Sequence, residues 1–194
     1  MLQTAGYISG ILSAISYIPY IRDILKLKTK PERASWLIWS VLGSVAFFSQ
    51  FAKGADHSLW LTGVQTFGVL IVFLLSIKFG YGGLNKLDIF SLIGAGVGLF
   101  LWYITNEPAI ALFIVIVIDA IGGILTVIKS YKEPESETTI TWVLSGIAGI
   151  FAAIAVGSTN IILLSYPIYI FIINFSVVLS IFIGFKKMNT KKNS

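Results

Sequence analysis

Shifted by 103 residues against itself, the chain lays Pro31-Glu32 on Pro134-Glu135, Trp39 on Trp142, Gly43 on Gly146 and Gly54 on Gly157. An internal repeat constrains a fold more than any local pattern, because both copies must adopt one structure and then pack together. Each copy spans three apolar runs, at about 5–25, 35–53 and 58–78 in the first and 109–129, 140–157 and 160–185 in the second. A seventh run, about 88–105, has no counterpart and joins them. About 20 helical residues at 1.5 Å each cover a hydrocarbon core of about 30 Å, so runs of this length can cross a bilayer. Composition agrees, with 56% of residues hydrophobic and 12% charged, where a soluble domain carries about 25% charge. The expectation is an all-α membrane protein with seven transmembrane helices, two three-helix repeats joined by a linker helix (3+1+3). Residues 1–83 form the first repeat, 84–106 the linker helix, 107–185 the second repeat and 186–194 a basic tail. An odd linker gives both repeats the same direction across the bilayer, so they are parallel, related by an axis along the membrane normal.

Lysine and arginine set the orientation, because cytoplasmic loops carry the positive excess. With the N-terminus outside, thirteen of the fourteen basic residues, from Arg22 to Lys192, fall on the cytoplasmic side and only Lys53 falls outside. The C-terminus is then cytoplasmic. The same asymmetry accounts for the net charge of +5 by topology, so the charge does not call for nucleic acid. The start, "MLQTAGYISG", lacks the basic n-region of a cleavable signal, and the first run is expected to persist as a helix. Cysteine is absent, which excludes disulfides, thiolate metal sites and cysteine nucleophiles. Richness in Ile, Lys and Asn points to a prokaryotic plasma membrane.

A chain of this length with a 3+1+3 arrangement, an outside N-terminus, and a proline (Pro19) near the inner end of its first helix before a basic loop resembles the PQ-loop and SWEET superfamily. That superfamily includes sugar transporters, lysosomal amino-acid exporters such as cystinosin, and the KDEL receptor. Its Pro-Gln dipeptide reads Pro19-Tyr20 here and Gly122-Gly123 in the second copy. The resemblance implies a secondary transporter whose halves rock about Pro19 to open a cytoplasmic gate. Sugar-carrying members pair tryptophans on helices 2 and 6 with asparagines on helices 3 and 7. This chain is similar in Trp39, Trp142 and Asn174, with Gln65 where the other asparagine would stand.

Polar residues inside apolar runs need a partner, a cavity or a role. Asp119 lies eleven positions into the fifth run, near the midplane, in "IVIVIDAIGGILTV". An ionised carboxylate at that depth costs about 2.5–3.5 kcal/mol on insertion scales. Three outcomes answer that cost: it binds a proton, it pairs with a cationic part of a solute, or it sits protonated and bonded to a neighbouring helix. Gly122, Gly123 and Thr126 share its face, which turns that face inward. Ser16 is its counterpart in the first copy, so the copies aim a hydroxyl and an acid at one central space. Ser9, Ser13, Ser16 and Tyr20 form a stripe on the first helix, and the serines either line a path or bond back to their own helix. The candidates for solute binding are Asp119, Ser16, Tyr20, Gln65 and Asn174. Amides at such positions, Gln50 included, serve equally as interhelical fasteners.

Pro19 and Pro167 each remove a backbone donor and loosen a helix; with Gly122 and Gly123 they are the hinge candidates, or else fixed bends. Trp36, Trp39 and Trp142 follow basic loops and His57 edges a run, where interfacial anchors sit. Gly94 and Gly98 lie inside an apolar run with no strand before them, so they read as a packing seam and not a dinucleotide loop. One histidine and no HExxH pattern leave no catalytic or metal-binding constellation, and neither an enzyme nor a cofactor is expected. The expected function is alternating-access transport of a small polar solute, with protons as candidate co-substrate through Asp119. The alternative is a non-transporting receptor or sorting protein on the same fold, binding a partner through "KLKTKPERAS" and "SYKEPESETT". Two repeats in one chain allow a monomer without excluding a homo-oligomer.

Overall fold

The computed structural model describes residues 1–27, 31, 33–80, 86–132 and 134–192. Seven α-helices follow in order: α1 (Leu2–Leu25), α2 (Arg33–Ala52), α3 (Leu59–Phe79), α4 (Lys86–Thr105), α5 (Pro108–Lys132), α6 (Thr139–Val156) and α7 (Ile161–Lys192). A single 3-10 turn, Pro134–Ser136, separates α5 from α6, and no strand occurs among the described residues. Local chemistry explains the ends. Pro108 opens α5, where its missing N–H would have had no helical partner. The Asn160 side chain caps α7 by accepting from the backbone N–H groups of Ile162 at 3.0 Å and Leu163 at 3.3 Å. Asn106 ends α4 in the left-handed region, φ 54, and its N–H donates to the Trp102 carbonyl at 2.8 Å.

The segment expected as a tail after residue 185 is instead helical through Lys192. Lysine is a good helix former, and its charge complements a helix C-terminus. Lys187 also lies 4.7 Å above the Tyr131 ring and donates to that phenol at 3.0 Å, tying the last turns of α7 to α5. Lys28 and Lys30 lie outside the described residues.

Among the described residues three helices are long and apolar enough to cross a membrane: Leu59–Phe79, Thr139–Val156 and Ile161–Asn189. The distribution of side chains is the reverse of a water-soluble bundle. Ser9, Ser49, Thr62, Ala148 and Ala152 are fully buried, while Ile11, Phe67, Phe100, Phe113 and Phe182 are each more than half exposed. Small interior residues let helix axes approach closely.

In the first triplet α3 packs against both α1 and α2, and in the second α7 packs against both α5 and α6. Between the triplets α1 lies on α6 and α2 on α5. Exchanging the first, second and third helices of one triplet for those of the other leaves this scheme unchanged. The residues that the 103-residue shift pairs can be compared place by place. Pro31 and Pro134 are both fully buried; Pro31 sits beside Gly80 at the end of α3, and Pro134 beside Gly184 in α7. Gly43 faces Thr66 across α2–α3, and Gly146 faces Phe175 across α6–α7. Gly54 (φ 82) and Gly157 (φ 66) are the positive-φ glycines among the described residues, each just past the second helix of its triplet. A side chain in that conformation costs about 1–2 kcal/mol. Gly54→Ala and Gly157→Ala should each lower the thermal-unfolding midpoint in detergent by roughly 3 °C; no shift in either variant would show that these turns do not need glycine.

The helix α4 leans on α5 and α2, with Gly94 and Gly98 set against Ile118 and Ile114 of α5. Successive helices alternate in direction, which gathers most of the described lysines and arginines at the bundle end where α1 stops and α2 starts, here called the basic end. There Arg33 caps α3, its Nε and Nη2 donating to the carbonyls of Ser76 at 2.9 Å and Gly80 at 3.1 Å. Lys53 stands at the far end, ion-paired with Glu107 at 2.5 Å. An apolar core fills the far half, with Leu42, Val45 and Ala46 of α2 against Ala111, Leu112 and Val115 of α5.

Candidate functional site

On the basic side of that core, between the two triplets, lies a cavity of about 760 Å³. Ser16 and Tyr20 reach it from α1, Gln65 from α3, Asp119 from α5 and Asn174 from α7. The five residues singled out for solute binding, scattered over 159 positions from 16 to 174, therefore line one space. Asp23 at the end of α1, and Glu135 and Thr138 between α5 and α6, carry the lining out to the basic end. Toward the far end lie the packed core and the α1–α6 seam.

Asp119 lies near the middle of the 25-residue α5. The Tyr169 hydroxyl donates to its Oδ2 at 2.6 Å, linking α5 to α7. One turn before Tyr169, Tyr166 is buried with its ring centroid 6.3 Å away. Tyr17 enters from α1, its ring lying over Gly68 where a Cβ would collide, and its hydroxyl donates to the Gln65 carbonyl at 3.3 Å. Tyr17, Tyr166 and Tyr169 thus surround the acid, and none of them was singled out from the sequence. Tyr166 and Tyr169, three residues apart around Pro167, were the available signal.

The serine stripe divides. Ser16 donates to the Ser13 carbonyl at 2.7 Å and accepts from Ser145 of α6 at 3.1 Å, at the edge of the cavity. Ser9 donates across the seam to the Ala148 carbonyl at 2.8 Å, and the fully buried Ser13 hydroxyl has no hydrogen-bond partner among the described residues. The amides divide too. Asn174 lines the cavity while its Nδ2 donates to the Ile170 carbonyl at 2.7 Å. Gln50 is buried away from it, and its Nε2 donates to Thr62 Oγ1 at 3.0 Å, fastening α2 to α3.

Trp36, Trp39 and Trp142, read from the sequence as interfacial anchors, line the cavity. The reason is rotational: the face a helix turns inward depends on its neighbours, and a tryptophan after a basic loop can point either way. Tyr20, Trp36 and Trp39 form a run of rings, with centroids 5.1 and 5.0 Å apart. Trp142 Nε1 donates to Glu137 Oε2 at 3.1 Å. His57 remains at the far end, 3.6 Å from Asp56.

Of the hinge candidates, Pro19 is half-buried inside α1, and Pro167 is fully buried inside α7 with its carbonyl against Gly149 of α6. Gly123 lines the cavity against Ile173. The surroundings of Gly122 lie outside the described residues. No group of three or more His, Cys, Asp or Glu able to hold a metal ion occurs among the described residues. The chain matches no protein-family model, no curated protein and no solved structure, so its own residues carry the reading of the site.

Proposed function

We propose that this chain is a secondary transporter that moves a small polar solute across a membrane by alternating access, with Asp119 binding a proton or a cationic group of the solute. The observation that carries the reading is the cavity between the two triplets, lined by residues from both, by Asp23, Glu135 and Thr138 at the basic end, and by the mid-helix carboxylate of Asp119. Its volume of about 760 Å³ falls in the range of small-molecule sites, about 300–1,000 Å³. Three apolar helices and large apolar side chains turned outward support a membrane location. The symmetric contacts of the triplets support a seven-helix, 3+1+3 arrangement with the linker at its edge, as the PQ-loop and SWEET resemblance implies. In this reading Ser16, Tyr20, Gln65 and Asn174 contact the solute, and Pro19, Pro167 and Gly123 absorb the rocking of the halves.

The test is solute flux into liposomes containing only this protein. Candidates come from a thermal-unfolding screen of sugars, amino acids, nucleosides, amines and vitamins at pH 5 and pH 7.5. A ligand at 100 times its dissociation constant adds about 2.7 kcal/mol to apparent stability. No ligand at either pH and no flux would sink the transporter reading and favour a receptor binding a partner through its loops.

Orientation is tested separately. The basic end is proposed to face the cytoplasm, N-terminus outside. Because the chain has no cysteine, single replacements report side directly. In intact cells an impermeant maleimide should label Ser158→Cys and spare Lys26→Cys until lysis; the opposite pattern would invert the topology.

A further inference from the structure

The chain is basic, yet its cavity is acidic. Among the described residues lining it, Asp23, Asp119, Glu135 and Glu137 are carboxylates and none is a lysine, arginine or histidine. Three described basic residues at that end are turned to other partners: Arg33 onto the α3 carbonyls, Lys78 over the Phe79 ring and Lys187 onto Tyr131. Glu135 and Glu137 precede α6 and also complement its N-terminus. Asp23 has no such local rationale. It stands in the last turn of α1, where the helix dipole disfavours an acid, and it lines the cavity. Asp119 lies mid-helix, far from either end.

The remaining wall is aromatic. Three tryptophans and four tyrosines line the space, and the Tyr20–Trp36–Trp39 run presents ring surface between Asp23 at the mouth and Asp119 in the depth. Ring faces attract cations, above all poorly hydrated alkylammonium groups, and the effect grows with desolvation. A carboxylate-bearing solute would meet four acidic side chains and no basic one among the described residues that line the cavity.

Building on the transporter reading, we infer that the cavity takes a small organic cation without a balancing carboxylate, an amine or quaternary ammonium. Its charged nitrogen is held between the Asp119 carboxylate and the aromatic wall, and Asp23 draws it in from the basic end.

The test is equilibrium binding to the full chain in a non-ionic detergent, read by tryptophan fluorescence and calorimetry. The probes are methylammonium, putrescine, choline and benzyltrimethylammonium, each beside its uncharged carbon isostere, together with glycine betaine. At least one cation should bind about tenfold or more tightly than its isostere and than glycine betaine. Asp119→Asn should lower that cation's affinity at least about tenfold and leave the isostere unchanged. Asp23→Asn, at the half-exposed mouth, serves as second variant and should weaken the salt dependence of cation association. If no cation exceeds its isostere by threefold, the inference is overturned. Tighter binding of dihexanoyl phosphatidylcholine than of choline would also overturn it, in favour of a lipid headgroup. The two readings fail separately: cation binding without flux removes transport and keeps the cation site, whereas flux of a neutral or anionic solute with no cation binding keeps transport and removes the cation.

Discussion

Gly149→Val should leave little protein able to hold α6 against α7, lowering the unfolding midpoint by about 10 °C. A Cβ at position 149 would lie 2.9 Å from the Phe171 nitrogen and 2.9 Å from the Pro167 oxygen. Those two atoms are donor and acceptor of one turn of α7, so the added carbon lands on a helical hydrogen bond. A crowding side chain can change rotamer, but backbone cannot, and overpacking that forces backbone to shift costs about 1–3 kcal/mol or more. Valine adds two further carbons to the same gap. Each kcal/mol moves the midpoint of a chain this size by about 2–4 °C. Separating α6 from α7 also parts Ser145 and Trp142 from Asn174, so ligand binding should fail with the fold. Gly96→Val is the control: Gly96 is exposed, with no heavy atom within 4 Å of a built Cβ, and its midpoint should stay within about 2 °C of the parent. If Gly149→Val melts like Gly96→Val, the two helices are not in backbone contact.

Asp119→Asn should reduce solute flux about 100-fold while the protein stays folded. The amide keeps the shape of the carboxyl, and its oxygen can still accept the Tyr169 hydroxyl that now reaches Oδ2 at 2.6 Å. What it loses is the charge and the capacity to take up a proton. Hydrogen bonds to charged groups contribute about 1.5–3 kcal/mol, or about 10- to 150-fold in a rate or affinity. Tyr169→Phe removes the orienting bond and keeps the acid, so it should cost less, about tenfold. Flux in liposomes, alongside melting curves to show that each variant is folded, distinguishes the two. Wild-type flux through Asp119→Asn would take the carboxylate out of the mechanism, and a larger loss in Tyr169→Phe would make the phenol the more important group.

The features legible in the sequence were those that depend on backbone rules. Gly54 and Gly157 could be paired without coordinates because glycine takes a left-handed turn after a helix at least cost, and both hold positive φ. Pro31 and Pro134 could be paired for a similar reason, and both are buried. Asp119 stood out because an acid in an apolar run conflicts with its surroundings. Its partners did not stand out. Tyr169 lies 50 residues away along the chain, and a tyrosine in a hydrophobic helix violates no local rule. The serine stripe was visible as a period, but period alone cannot show that α6 covers Ser9 and Ser13 while the cavity begins at Ser16. The inward turn of the tryptophans was hidden for the same reason, since helix rotation is a tertiary property.

The unbonded hydroxyl of Ser13 bears on how firmly the two halves are held together. Across the far-end seam, α1 meets α6 through small side chains, one hydroxyl-to-carbonyl bond from Ser9, and a Ser13 oxygen with no hydrogen-bond partner among the described residues. Parting α1 from α6 forfeits the Ser9–Ala148 and Ser145–Ser16 bonds, each on the order of 1 kcal/mol. The seam on the opposite flank, α2 on α5, interlocks Leu42 and Val45 with Leu112 and Val115, and exposing such side chains costs about 1.5–3 kcal/mol each in water, less in lipid. The two halves are therefore joined in two different ways, by interlocked branched side chains on one flank and, on the other, by close packing of small residues with two hydroxyl bonds along the serines of the first helix.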